Sequence, residues 1–300
     1  MDTIAPAAQK NGPRTPPRVI RLEGGAKIPA VVGTGPFASF VFAWRQRQLI
    51  RRLVQRDVEQ RYRGSFLGKI WAVIAPLFML SLYTIAFSVV IRPQWQTNIS
   101  SPAEIALIYF SGLILFDFFF ECINRAPPLM FENISYIKKM VFPLEILAWV
   151  VLGGALFRVI VGIVLLAIFY AVVRGAPPLP AIVIPLLVVL LSVMALGFVW
   201  LLSALSVFLR DIRHVIAALM PAFMFLTPVF FPLSAAPPLV RRILYVNPLT
   251  FILEGVRGAL FSDTWPNWLG MLAYAVIACL FAWFGYRVFM KLRSGFADVI

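Results

Sequence analysis

The sequence predicts an all-α integral membrane protein with six transmembrane helices, an N-terminal amphipathic interfacial helix, and a re-entrant helical hairpin between spans five and six. Composition is the first reason. Of the 300 residues, 61% are hydrophobic, whereas a soluble globular domain has about 45–50%. With a mean hydropathy of +0.88, the chain needs a bilayer as its solvent. The second reason is that the apolar residues are gathered into long stretches between short polar segments. The net charge of +14 therefore indicates topology rather than nucleic-acid binding.

The first 65 residues divide into a tail and an amphipathic helix. Residues 1–37 contain six prolines and no apolar period, which predicts a disordered cytoplasmic tail. Residues 38–65 combine apolar residues at helical spacing with many arginines, as is typical of a helix in the headgroup layer. Such charges also flank ordinary spans. We nevertheless expect a gate helix whose guanidinium groups bind lipid phosphates. The arginines concerned are Arg51, Arg52, Arg56, Arg61 and Arg63.

Six apolar stretches follow, each with roughly the 17–25 residues that a helix needs to cross a ~30 Å hydrocarbon core. Lys and Arg are enriched on the side of the N-terminus, which predicts that both termini are cytoplasmic. Five prolines break the 232–267 loop into apolar pieces too short to span, which predicts a hairpin that dips into the outer leaflet. The spans lie within a domain of residues 66–290, and residues 291–300 form a cytoplasmic tail. The predicted spans are 66–91, 105–131, 144–173, 180–209, 215–231 and 268–290.

Three charged residues fall inside the predicted spans. Asp117 and Glu121 are four residues apart on one face of span two, and Arg158 is midway along span three. Counted from the cytoplasmic ends of these two predicted spans, Asp117 and Arg158 both lie ~21 Å deep. Unpaired charges inside a bilayer are costly. The sequence therefore predicts an intramembrane ion pair formed by these residues, or else a polar element of a transport path or a proton relay.

Residues for catalysis or for a cofactor are not expected on this chain. The single histidine, His214, has no Cys or His cluster around it that could hold a metal. Residues 64–70 differ from a nucleotide-binding loop, because three residues instead of four separate the glycines and isoleucine follows the lysine. If the protein is a pump, ATP and Mg must bind to a partner subunit.

Several short motifs occur in a characteristic order along residues 45–290. Arg56-Asp57 is followed by Arg61-Tyr62, by Ser65-x-Leu67-Gly68-x-x-Trp71, and by Pro76 within the first span. In this order and spacing, the motifs resemble those of the permease subunits of ABC exporters for O-antigen, capsule and teichoic acid. The further matching segments are Asn133 with Ile137-Lys138-Lys139-Met140-Val141-Phe142-Pro143, then residues 210–214, 227–232 and 247–250.

The resemblance implies a homodimer in the bacterial cytoplasmic (inner) membrane, joined to two ATP-binding-cassette ATPase subunits. Residues 132–142 would be the coupling helix and residues 210–214 a smaller second contact. The substrate would be a polyprenyl-pyrophosphate-linked glycan, whose headgroup would meet the gate helix. The residues expected to contact the ATPase are Glu132, Asn133, Lys138, Lys139, Arg210 and Asp211.

In span one, Trp71 shares one face with Phe78 and Tyr83 shares another with Phe87, and span five also contains several phenylalanines. Most of the 27 Phe, 8 Trp and 8 Tyr are expected to contact lipid or neighbouring helices. Rings that line a pore would instead offer flat surfaces to sugars without binding them tightly. The residues expected to line such a glycan channel are Trp71, Phe78, Tyr83, Phe87, Phe223 and Phe230.

Three other classes of protein fit less of the sequence. An ABC exporter permease for a small lipid or drug would not have the Arg-Tyr-x-x-Ser-x-Leu-Gly-x-x-Trp motif. A polyprenyl-phosphate glycosyltransferase would need clustered acidic residues, and the loops offer only scattered single ones. The charges in spans two and three keep an ion-driven carrier or channel open, and such a protein would transport without ATP.

Overall fold

The computed structural model describes residues 35, 38–85, 101–137 and 142–299, which form helices joined by short turns, without strands. Almost all of the predicted tail, and also Phe87, Lys138 and Lys139, lie outside the described residues. The helices are α1 (Ala38–Arg45), α2 (Arg47–Tyr62), α3 (Trp71–Ile85), α4 (Pro102–Arg125), α5 (Leu129–Glu132), α6 (Ile134–Ile137), α7 (Ile146–Arg174), α8 (Ile184–Phe208), α9 (Ile212–Phe225), α10 (Pro238–Val246), α11 (Pro248–Phe261), α12 (Trp268–Leu292) and α13 (Phe296–Val299).

Four of the described helices are long and apolar enough to cross a membrane. They are α4, α7, α12, and α8 together with the short turn of 3₁₀-helix before it. The all-α, multi-pass class is thus confirmed. The helices α3 and α9 are apolar but shorter. The described part of α3 stops at Ile85, and α9 stops at Phe225, shortly before Pro228 and Pro232, which disfavour continuation of the helix.

The helix ends are set by capping residues that the sequence supplies. The Ser101 hydroxyl accepts a hydrogen bond from the Glu104 backbone N–H at the start of α4 (3.3 Å). Asn247 Oδ1 accepts from the Leu249 N–H at the start of α11 (2.9 Å). Gly175, with a φ of 87°, ends α7 in a conformation that favours glycine. These caps satisfy backbone groups that would otherwise lack a partner in the membrane.

Two ion pairs show which helix ends lie together. Arg174, at the end of α7, bonds to Glu104 near the start of α4 (Nε–Oε1 3.1 Å). Arg293, just after α12, bonds to Glu145 just before α7 (Nη1–Oε2 2.8 Å). The helix α7 is therefore antiparallel to both α4 and α12. We call the end with Glu145 and Arg293 the α2 end, because α2 packs against the first turns of α7.

The segment between α9 and α12 contains two short helices, α10 and α11. Each begins with a proline in its first turn, Pro238 and Pro248, where the missing N–H costs nothing. Ile252 and Leu253 of α11 are fully buried, and α11 packs against α8 and α4. The prolines therefore start helices in this segment rather than interrupting them.

The helices α8 and α12 approach each other closely, and small residues form their contact. A Cβ atom on Gly285 would overlap the backbone of Gly197, and a Cβ on Gly197 would lie 2.9 Å from the Ala282 Cα. In lipid, the hydrophobic effect does not drive helices together. Small residues let the two backbones approach, so that van der Waals packing can hold the helices together instead.

Replacing Gly285 with valine should destabilise this helix pair. We expect Gly285→Val to lower the free energy of unfolding by about 1–3 kcal/mol, because the added side chain must push α8 away. The matched control is Phe284→Val on the exposed face of the same helix. Unfolding in detergent, followed by tryptophan fluorescence, measures both variants. Equal stability of the two variants would contradict the close contact.

Candidate functional site

The helix α2 lies directly against α7 because two adjacent glycines leave room for it. A Cβ atom on Gly153 would lie 2.5 Å from Val54, and one on Gly154 would lie 2.6 Å from the Asp57 carboxylate. Any larger residue at these positions would force α2 away from the span. The sequence Gly153-Gly154 thus fixes the place where the amphipathic helix meets the membrane-spanning helices.

Asp57 on α2 binds two arginines at this place. Its Oδ2 accepts hydrogen bonds from Arg61 Nη2 (3.0 Å) and from Arg125 Nη1 (3.1 Å), and its Oδ1 accepts from Arg125 Nη2 (2.5 Å). Arg125 therefore engages both carboxylate oxygens, a geometry that strengthens and orients the pair. Through this pair, α2 is fastened to the end of α4.

Glu121 on α4 joins three helices. Its side chain is only 4% exposed, and it accepts hydrogen bonds from Arg61 on α2 and from Arg158 on α7 (Arg158 Nε–Oε2 2.8 Å). Burial would lower the pKa of the Arg61 guanidinium, but the carboxylates of Glu121 and Asp57 raise it above its ordinary value, so Arg61 remains charged. We call Asp57, Arg61, Glu121, Arg125 and Arg158 the ion-pair network.

Arg158 thus pairs with Glu121. The sequence places Asp117 and Arg158 at the same depth in their predicted spans, which favours Asp117 as the partner of Arg158. Side chains on a helix lean toward its N-terminus. The helices α4 and α7 are antiparallel, so Arg158 leans toward the α2 end and Glu121 leans away from it, and the two meet. Asp117 lies one helical turn before Glu121 in α4 and is therefore farther from the α2 end. Its side chain is exposed and makes no hydrogen bond to any described residue.

The arginines expected on the gate helix separate into two groups. Arg61 belongs to the ion-pair network, whereas Arg51, Arg52, Arg56 and Arg63 are exposed. A cavity of about 440 Å³ lies between α2, the end of α4, the α5–α6 segment and the start of α7. Its polar lining includes Arg56, Gln60, Arg125, Asn133 and Tyr136.

Of the residues expected to contact an ATPase, the four that the structure describes lie at the α2 end. Glu132, at the end of α5, is exposed, and the Asn133 side chain caps α5 by donating to the Leu129 carbonyl (2.8 Å). Arg210 and Asp211 are exposed in the turn between α8 and α9. The structure therefore leaves Glu132, Arg210 and Asp211 accessible to a partner.

The aromatic residues expected in a channel have different surroundings. Trp71 and Phe78 of α3 are 44% and 65% exposed. Phe223 stacks on Phe119 of α4 (ring centroids 6.2 Å apart) and is partly buried against the core. Phe230 packs on Tyr109 of α4 (5.8 Å). Phe87 and the side chain of Tyr83 lie outside the described residues. Trp71 and Phe78 are therefore available to a passing substrate, whereas Phe223 and Phe230 are partly buried by their contacts with α4.

A second polar cluster joins two motifs that are distant in the sequence. Asn247 Nδ2 donates to the Leu226 carbonyl (2.9 Å) and to Thr227 Oγ1 (2.8 Å). Arg257 on α11, which is buried, donates to the carbonyls of the two residues after Thr227, at 2.5 Å each. Arg257 falls within the 232–267 segment that the sequence predicts as a loop with a hairpin. The turn after α9 is instead held by α11 and its cap.

Sequence reasoning missed the roles of Asp57 and Arg125. The spacing of Asp57 and Arg61, and of Glu121 and Arg125, is i to i+4 in each case, which predicts contact within a helix. It does not predict that the two pairs meet. Among the described residues, no group of three or more His, Cys, Asp or Glu is placed to hold a metal.

Comparison with known proteins gives one family and several relatives. The model of the ABC-2 type transporter family matches residues 48–261, from within α2 to the end of α11. The O-antigen export system permease protein RfbA of Myxococcus xanthus is 25% identical over 259 residues, covering 86% of this chain and 97% of that protein. A protein of the same name from Klebsiella pneumoniae is 25% identical over 258 residues, covering 83% of this chain and 93% of the relative.

Removing the buried carboxylate of the ion-pair network should be strongly destabilising. We expect Glu121→Ala to cost about 3–5 kcal/mol, because it leaves Arg61 and Arg158 without their shared counter-charge. Glu132→Ala, which removes an exposed carboxylate at the same end of the subunit, should cost less than about 0.5 kcal/mol. Denaturant unfolding in detergent measures both costs. Similar costs for the two variants would contradict the assigned role of Glu121.

Proposed function

Because the chain belongs to the ABC-2 type transporter family, we propose that it is the membrane-spanning permease of an ATP-driven exporter for polysaccharide. The observation that carries this proposal is the nearly full-length match to relatives named as O-antigen export permeases, which reaches 97% of the Myxococcus xanthus protein. A chain of this family is a transport subunit, and the ATP and Mg of the pump belong to a partner subunit.

The proposed topology has six spans, with both termini in the cytoplasm of a bacterial inner membrane. The four long helices would be four of these spans, and α3 and α9, which are apolar but shorter, would be the other two. The α2 end then faces the cytoplasm, and α10 and α11 form the hairpin in the outer leaflet. Irregular or short segments are tolerated at membrane depth when they pack on protein, and the packing of α11 on α4 and α8 supports this placement.

The proposed assembly is a homodimer that binds two ATP-binding-cassette subunits at the α2 end. Residues 132–142 would couple the two kinds of subunit, with Glu132, Asn133, Lys138 and Lys139 at the contact. Arg210 and Asp211 would form the smaller contact. The exposure of Glu132, Arg210 and Asp211 at one end of the subunit supports this arrangement.

The proposed substrate is a glycan linked to polyprenyl pyrophosphate. Its pyrophosphate would bind the exposed arginines of α2, since guanidinium groups engage two phosphate oxygens at once. Arg51, Arg52, Arg56 and Arg63 remain suitable, whereas Arg61 already binds two carboxylates. The sugars would pass Trp71 and Phe78 on α3. ATP-driven movement of the α5–α6 segment would reach α2 through Arg125 and Asp57.

The proposal predicts that surface polysaccharide requires this chain, its partner ATPase and the exposed arginines of α2. Export is measured in a bacterial strain whose own O-antigen permease is deleted and which expresses this chain with the ATPase of the neighbouring reading frame. Loss of two charge-assisted contacts in Arg51→Gln/Arg52→Gln should reduce surface polysaccharide at least roughly tenfold, while the ATPase still co-purifies.

The matched control is Arg242→Gln/Arg287→Gln, which removes the same charge from exposed positions elsewhere. This variant should export like the parent chain. Equal losses in both double variants would overturn the role of the α2 arginines. Export of small lipids or drugs with no surface polysaccharide would overturn the proposed substrate class.

A further inference from the structure

Asp117 is a carboxylate that is exposed in the middle of a membrane-spanning helix. The residues around it on α4, including Leu113, Phe116 and Phe118, are buried. At about 1.5 Å per residue, Asp117 lies about 12 Å from the end of α4 at Arg125. Within the described parts of α3, α4, α7, α8, α9 and α12, it is the one acidic side chain exposed at the subunit surface.

A charge in such a position cannot face lipid at low cost. Charged residues inside spans almost always face the interior of the bundle or a water-filled cavity. The interior of this subunit does not cover Asp117, so the surface around it is suited to a water-filled space or to another subunit and not to lipid. The exposed face of α12 has the opposite character, because Leu272, Val276 and Leu280 are all exposed and apolar, as a lipid-facing surface requires.

Arg158 shares this surface with Asp117. Its side chain is 49% exposed, and it bonds to Glu121, which lies one helical turn from Asp117 on the same face of α4. Arg158 uses Nε and Nη2 to bond to Glu121. Its third nitrogen, Nη1, makes no hydrogen bond to any described residue. The surface therefore offers a carboxylate that accepts hydrogen bonds beside a guanidinium that still has donors to give.

The charge balance explains why the two residues occur together. The ion-pair network contains two carboxylates and three guanidinium groups, so it has one positive charge in excess. Asp117, next to Arg158, supplies the balancing negative charge. The pair of Asp117 and Arg158 has no net charge but has both hydrogen-bond donors and acceptors, which suits uncharged polar groups such as hydroxyls. A phosphate group would be repelled by the Asp117 carboxylate.

We propose that Asp117 and Arg158 form a hydrated polar site on the transport path, which hydrogen-bonds the hydroxyl groups of the passing polysaccharide. The carboxylate accepts from a hydroxyl and the guanidinium donates to one. Each bond exchanges with water, so the site holds the chain without trapping it. The ligand class rests on the function proposed above, whereas the hydration of the surface does not.

Cysteine accessibility tests the hydration independently of transport. In a background with Cys122→Ala and Cys279→Ala, a cysteine at Asp117 is compared with one at Val276 on the apolar face of α12. A membrane-impermeant methanethiosulfonate should label Asp117→Cys at least roughly tenfold faster, because the reactive thiolate forms only where water reaches. Equally slow labelling of both variants would overturn the hydrated site.

Export tests the ligand class. Asp117→Asn keeps a hydrogen-bonding group and should export polysaccharide within roughly threefold of the parent chain, whereas Asp117→Leu should lose at least roughly tenfold. Both variants are checked for equal amounts in the membrane. Parental export by Asp117→Leu would overturn the site, since leucine is harmless only on a lipid-facing surface. If Asp117→Cys is labelled but the parent chain itself exports no polysaccharide, the proposed function is overturned and the hydrated surface stands.

Discussion

The buried carboxylate of Glu121 determines how this subunit is assembled at the α2 end. A buried carboxylate is not hydrated, so its negative charge must be balanced by positive charges of the protein. Arg61 and Arg158 supply these charges from two other helices. A buried ion pair of this kind adds little stability compared with apolar packing, but breaking it is costly. We expect its effect to be specificity, because both carboxylates of the network find their arginine partners only when α2, α4 and α7 lie together.

The rest of the α2 end follows from this arrangement. Gly154 leaves the space in which Asp57 and Arg61 meet Arg125, and Gly64 and Gly68, both at positive φ, turn the chain from α2 into α3. With Arg61 turned inward, the remaining arginines of α2 are exposed. Arg125 and Asp57 also line the cavity beside the α5–α6 segment. A movement of the α5–α6 segment would therefore reach the amphipathic helix α2 over a short distance, through the charged side chains of Arg125 and Asp57.

The sequence predicts the helical class, the amphipathic helix and the three intramembrane charges, because composition and period depend on local chain chemistry. It does not predict the partners. Asp57 and Arg61 belong to a sequence motif, and Arg61 is predicted to bind phosphate, yet both side chains bind inside the subunit. Pairing between helices depends on packing, which residue spacing does not encode. Phe223 and Phe230 are predicted as channel residues by type, and their ring contacts with α4 are a feature that residue type and spacing do not predict. The prolines at 238 and 248 read as interruptions, although each begins a helix.

The position of α2 relative to the spans is the most direct measure of this account. Spin labels at exposed Gln55 on α2 and Lys291 at the end of α12 report it by pulsed electron paramagnetic resonance, in lipid nanodiscs and with labelled subunits diluted by unlabelled ones. The account predicts a single narrow distance distribution for the parent chain and a shifted or clearly broadened one for Glu121→Gln, which keeps the shape of the side chain and removes its charge. An unchanged distribution in Glu121→Gln would contradict it.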